Sequence, residues 1–212
     1  ANVSGSGAPG LDSWTTGEVI SFGGSSFTLE SGGTAGSFWS VFDLDSFSQD
    51  STAIDAIHFV RHDVNVGTST SVSLQSGDVL LSTSFDETVD GTTFREEDVF
   101  VFRPASTSDY TSGSVFLLID GSDLSLTDIK GLTLVEHDVQ VGDAALTAGS
   151  LLYTTGNEDV NLLTLTSAGD TTAGSTSQFL DASDIGISTS TQTVGIELTE
   201  SAVSIADETI PA

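Results

Sequence analysis

The sequence has no cysteine and no methionine, only 3 prolines, and 4 Lys+Arg side chains against 31 Asp+Glu. Without cysteine there is no disulfide framework, no thiolate nucleophile and no zinc–sulfur centre, so packing and hydrogen bonds must hold the chain together. The shortage of basic residues gives a formal net charge of -27 although charged residues make up only 17% of the chain. A surface of one sign repels phosphate backbones and anionic headgroups, which argues against nucleic acid and membrane surfaces as partners and leaves cations. No apolar run approaches the roughly 20 residues of a membrane span. The chain opens on Ala1, the kind of small residue left by signal-peptide cleavage, and the expectation is a secreted, extracellular or cell-surface protein. Asn2-Val3-Ser4 is an N-glycosylation sequon, making Asn2 a candidate modified residue. High Asp and Glu with low Lys also suits saline surroundings, where hydrated carboxylates keep a protein in solution.

What is present is β-forming. The 212 residues are 37% hydrophobic, enough for one large all-β domain. Residues 1–16 are a Gly/Ser-rich segment, and residues 17–212 read as a single domain. Short apolar or alternating runs, such as Glu18-Val19-Ile20-Ser21-Phe22 and Ser37-Phe38-Trp39-Ser40-Val41-Phe42, are separated by Gly23-Gly24 and Gly32-Gly33. Alternation with glycine punctuation is the strand signature, and no window has helical spacing.

Internal repeats carry the strongest signal. Ile54-Asp55-Ala56-Ile57-His58-Phe59-Val60-Arg61-His62-Asp63-Val64 returns as Ile129-Lys130-Gly131-Leu132-Thr133-Leu134-Val135-Glu136-His137-Asp138-Val139, and a degenerate third copy starts at Val194. A strand ending in an acidic turn precedes each copy: Phe42-Asp43-Leu44-Asp45, Ile119-Asp120-Gly121-Ser122-Asp123 and Leu180-Asp181-Ala182-Ser183-Asp184. The expectation is an antiparallel fold of three related units of about four strands each, spanning residues 17–76, 77–148 and 149–212. Gly77-Asp78-Val79-Leu80-Leu81-Ser82, Glu97-Asp98-Val99, Asp120-Gly121-Ser122-Asp123 and Ile54-Asp55-Ala56 resemble repeats of secreted bacterial surface and matrix proteins built from propeller-blade-like units. That resemblance implies a structural role without an established chemistry. Propellers have about 4 to 8 blades, so three units imply either two chains completing a ring or a sandwich or barrel; the expected fold is the latter.

Candidate chemistry sits in the acidic turns. Asp120 with Asp123, Asp181 with Asp184, and the shortened Asp43 with Asp45 offer hard oxygens suited to calcium, which takes about 6 to 8 of them. The competing reading is that aspartate in a turn binds its own backbone amides. Glu96 and Asp98 could share a strand face as an acid–base pair, but a solvated strand entry that blocks edge pairing explains them better. His58, His62 and His137 read as structural, and Trp14, Phe38, Trp39 and Phe42 as core rather than a sugar-stacking platform. No catalytic constellation stands out. The expected function is therefore a non-enzymatic structural protein, a surface, matrix or filament subunit that self-associates through β-strand contacts. Residues 1–12, including Ala1, Asn2, Val3 and Ser4, or residues 202–212 would supply the added strand. The alternative is a calcium-dependent adhesion or carbohydrate-binding module, with glycans as partners.

Overall fold

The computed structural model describes residues 5–30, 33–48, 51–107, 109–157, 159–188 and 192–198. Among them the chain is all-β, with three short 3-10 turns, and every strand pairing is antiparallel. Hairpin β1 (Gly5–Ala8) with β2 (Leu11–Trp14) leads into the long hairpin β3 (Glu18–Glu30) with β4 (Gly33–Asp43). Then come β5 (Ile54–Phe59), the small hairpin β6 (Val64–Val66) with β7 (Val72–Leu74), and β8 (Val79–Thr83). Hairpin β9 (Glu87–Val89) with β10 (Thr92–Phe94) precedes β11 (Val99–Ser106) and β12 (Asp109–Ile119). The series then recurs, without a counterpart of the β9–β10 hairpin, as β13 (Gly131–Leu134), β14 (Val139–Val141), β15 (Ala144–Leu146), β16 (Leu151–Thr154), β17 (Val160–Ser167) and β18 (Ala173–Leu180). Strands β4, β12 and β18 each end in a 3-10 turn, at Leu44–Phe47, Gly121–Leu124 and Ala182–Ile185.

Two four-stranded sheets result, β12-β11-β8-β5 and β18-β17-β16-β13. They pack face to face as a sandwich, and no sheet closes into a barrel. Because side chains alternate along a strand, both faces of each sheet can be apolar, and the central strands are covered on both. Leu80, Val99 and Val101 point from the first sheet towards Leu151, Tyr153 and Leu163 of the second. On the opposite face Val79, Leu81, Phe100 and Phe102 meet Phe42 and Val19 of the β3–β4 hairpin and Leu44 of the turn that follows it, with Val89 and Phe94 at the side. On the far face of the second sheet, Leu152, Val160 and Leu162 meet Ile196 and Leu198.

The molecule is thus a stack: the β3–β4 hairpin is the first layer and the two sheets are the second and third. Equivalent strands show that the layers are stacked in one direction, the back of each against the front of the next. Val79 and Leu81, at the front of the second layer, correspond to Leu151 and Tyr153, at the front of the third. A fully buried apolar side chain contributes roughly 1.5–3 kcal/mol relative to exposure, so these interfaces are the main source of stability.

The layers cut the repeats differently from the sequence units. Strand β5 belongs to residues 17–76 in sequence but completes the sheet made by β8, β11 and β12. Strand β3 is the counterpart of β11 and β17. The Glu18 N–H donates to the Thr15 carbonyl as the Asp98 N–H does to the Arg95 carbonyl, and the Ile54 and Ile129 N–H groups donate to the carbonyls of Thr16 and Glu96. Among the described residues the first layer therefore holds the two outer strands of the pattern and neither inner one. Turn chemistry follows the sequence: Asp90-Gly91 links β9 to β10 with φ of 48 and 78, the positive pair demanded by a two-residue hairpin. Gly149, with φ 84, passes so near Asn65 that a Cβ would lie 2.3 Å from its carbonyl oxygen. Of the aromatics read as core, Phe42 is 2% exposed, whereas Trp39 is 44% exposed and Trp14 and Phe38 are half-buried.

Candidate functional site

The inner strands β5 and β13, the segment 192–198 and the start of β3 line a cleft of about 1090 Å³. Its rim is organised by Glu136, just beyond β13. The Glu136 carboxylate accepts from His58 Nε2 at 3.0 Å, His62 Nδ1 at 2.9 Å, and the backbone N–H groups of Arg61 at 2.9 Å and His62 at 2.7 Å. Two strand ends far apart in sequence are joined by one side chain. Around this clamp, Arg61 pairs with Glu197 at 3.4 Å and the rings of His62 and His137 meet edge to face at 6.0 Å. Below it, Lys130 bridges Asp55 at 3.1 Å and Asp128.

The electrostatics favour a charged, fully engaged carboxylate. Burial pushes the Glu136 carboxyl up, but the Arg61 N–H, the His58 and His62 rings and the His62 N–H outweigh it and hold the group below the usual range. Burial lowers the His58 imidazole, and its pairing with Glu136 only partly offsets this. Four donors occupy both Glu136 oxygens, so the geometry suits a latch between layers rather than a base awaiting substrate. Sequence reading placed all three histidines in structural roles but did not single out Glu136. Its signal was slight: an acidic residue stands where the preceding repeat has Arg61.

The acidic turns have local work. Asp120 Oδ1 accepts from the Ser122 N–H at 3.0 Å and hydroxyl at 2.6 Å, and Asp181 holds Ser183 with the same two distances. Asp43 accepts from the Asp45 N–H at 3.0 Å and the Ser46 hydroxyl at 3.0 Å. These are N-caps of 3-10 turns. Burial raises the Asp43 carboxyl despite those bonds. Asp45 instead receives the Thr52 N–H and hydroxyl and the Thr15 hydroxyl. Those bonds overcome burial and lower its carboxyl.

Asp123 reaches the next layer, accepting the Thr172 N–H at 2.9 Å, while the Thr172 hydroxyl receives the Asp120 N–H. Asp184, the counterpart of Asp123, carries no side-chain hydrogen bond among the described residues. The turns thus sit in successive layers rather than converging. Among the described residues no cluster of His, Asp or Glu side chains is placed to hold a metal ion.

Asp98 precedes β11 but is not the solvated edge guard expected from the sequence: it is 6% exposed, and β11 is paired on both sides, because the carboxylate is used to hold backbone amides. Its carboxylate accepts the Gly121 N–H at 3.0 Å and the Arg95 N–H at 2.9 Å, and Asp159 holds the Ala182 N–H at 3.2 Å in the next layer. Burial raises the Asp98 carboxyl. Ala1, Asn2, Val3 and Ser4, and the segment 202–212, lie outside the described residues. No described helix is long and apolar enough to cross a membrane. Compared with family models, curated proteins and solved structures, the chain matches none.

Proposed function

We propose that the chain is a non-enzymatic structural protein, a subunit of an extracellular surface layer or filament that associates with copies of itself through β-strand contacts. The observation that carries this reading is the one-sided pairing of β3. Among the described residues this 13-residue strand forms a ladder with β4, whereas its counterparts β11 and β17 each form ladders with two neighbours. The edge strand of a two-stranded sheet is a place where a strand from another chain can add. Three further features support the same reading. The stacked layers are mutually complementary, the Glu136 carboxylate is occupied by internal donors, and the repeats resemble those of secreted surface proteins.

Electron microscopy and sedimentation of the purified protein, over a range of concentrations at about 1 M salt to screen the acidic surface, test it. Ordered filaments, sheets or larger species whose population grows with concentration are expected. Single particles at every concentration would overturn the reading and shift weight to a binding module that uses the inner cleft.

A further inference from the structure

The stack repeats one contact, and among the described residues that contact has no counterpart at the Leu180–Ile187 end of the third layer. In the second layer Ile119 is 0% exposed, and Leu124 and Leu126 pack beside it into the core shared with the third layer. In the third layer the same positions are Leu180, Ile185 and Ile187, exposed to 37%, 63% and 37%. The backbone at the two places is the same: the Leu126 N–H donates to Gly121 O at 2.9 Å and the Ile187 N–H to Ala182 O at 3.0 Å. The polar partner is missing too, since Asp123 grips Thr172 of the following layer while the Asp184 side chain holds nothing among the described residues. Apolar groups with an identical backbone setting are covered in one layer and uncovered in the next.

We propose that the outer face of the third layer is a docking surface for the first layer of a second copy of this chain. Copies would then stack head to tail through the contact that already joins layers within one molecule. The inference rests on the self-association reading and names its interface.

The internal contact identifies what fits. At the first interface Phe42 and Phe47 meet the front-face residue Phe102, each with ring centroids 4.8 Å apart. The backbone equivalences of β3 and β11 make Ile20 and Phe22 the counterparts of Phe100 and Phe102. By that equivalence Ile20 belongs to the front of the first layer; it is half-buried, stands in none of the three core clusters, and borders the inner cleft at the start of β3. Phe22 packs against Phe38 at 4.7 Å beside it. The segment 192–198 already covers part of the third layer, and its sequence corresponds to inner strand β5. Among the described residues the first layer of the incoming copy has no inner strands, so docking brings an inner segment and an outer hairpin into one composite layer. The contact is heterologous, a back against a front, and propagates. Glu18, Asp181 and Asp184 give both surfaces the same sign, so association requires screening.

Because the chain has no cysteine, single introduced thiols report on geometry. Ile185→Cys and Ile20→Cys chains, mixed at about 1 M NaCl with a short bismaleimide, are expected to give mainly mixed dimers, and the double variant a ladder of multimers. Ile185→Asp is expected to weaken self-association roughly tenfold or more while leaving the urea midpoint of the dilute protein unchanged. Cross-linking of Ile185→Cys only to itself would overturn the head-to-tail contact. Association that survives Ile185→Asp at full strength would also overturn it, leaving self-association through another surface such as the β3 edge. A residue 185 thiol protected from a soluble maleimide in dilute monomer would show that the chain's own segment covers the patch, and would likewise overturn it. Absence of any association by the natural sequence would overturn the self-association reading itself.

Discussion

Leu180 occupies in the third layer the place that Ile119 occupies in the second, yet Ile119 has 0% of its surface exposed and Leu180 has 37%. Each closes the back-facing end of an outer strand, paired with Val99 and Val160 respectively. The difference between them is that a complete sheet follows the second layer, whereas among the described residues only the segment 192–198 follows the third. The chain is therefore built from a unit that cannot bury its own two faces, the physical condition that makes repeat proteins stack.

The Glu136 latch should contribute measurably to stability. Replacing Glu136 with Gln keeps the shape but removes the charge that two backbone amides and two imidazoles share. The unfolding free energy should fall by about 2 kcal/mol, within the range for hydrogen bonds to charged groups. In urea this appears as a lower midpoint with an unchanged slope. A midpoint that does not move would show that the four bonds merely replace equivalent bonds to water.

Acid should loosen the same latch in two stages. The His58 imidazole is held below its ordinary 6.5, so the unfolded chain takes up a proton first. The contribution is complete above that value and is lost as pH falls towards the folded value. The Glu136 carboxyl is held below its ordinary 4.5, so its contribution is complete above that value and is lost as pH falls further. Thermal midpoints should be flat near pH 8, decline below about 6.5 and drop again below about 4.5. The variant His58→Gln should lose the first decline and keep the second.

A buried ion pair provides an independent test of packing. Arg103 Nε and an Arg103 terminal nitrogen grip Asp78 at 2.9 and 2.6 Å, and the guanidinium lies 5.0 Å from the centre of the Phe116 ring. The Asp78 side chain is only 2% exposed, so Arg103→Met leaves a charge with no counter-ion. A loss of roughly 3–5 kcal/mol is expected, measured by chemical denaturation. Adding Asp78→Leu should recover most of it; a double variant as unstable as the single one would place the loss in the Phe116 contact instead.

The two related turns should respond differently to the same change. Asp123→Ala removes the acceptor of the Thr172 N–H and should cost about 1 kcal/mol or more. Asp184→Ala, whose side chain has no such bond, should stay within about 0.5 kcal/mol in dilute protein. A larger loss at Asp184 would mean that it already has a partner in the monomer.

Calcium can be separated from general screening. The carboxylates of Asp43, Asp45, Asp120 and Asp181 already serve amides and hydroxyls of their own turns and neighbours. Calcium and sodium chloride at matched ionic strength should therefore raise the melting temperature alike by screening the -27 charge. A calcium-specific rise abolished by Asp181→Ala with Asp184→Ala would instead establish a site at the third turn.

The sequence by itself determined the β class, through alternation and glycine spacing. It also showed the recurrence of one unit and the capping turns, because those depend on side-chain period and local backbone bonds. Where each layer begins was not legible. Glu18-Val19-Ile20 and Val79-Leu80-Leu81 look like equivalent unit starts, yet only the hydrogen bonds at Thr15 and Arg95 reveal β3 as a counterpart of β11. Nor could the sequence show that Trp39 is exposed while Phe42 is core, since register and the bulge between Val19 and Ile20 decide their surroundings. The direction of stacking, the joining of His58, His62 and Glu136, and the uncovered face at Leu180 and Ile185 were decided only by the tertiary structure. Each depends on which sheet face meets which across long stretches of chain, and local pattern carries no information about that.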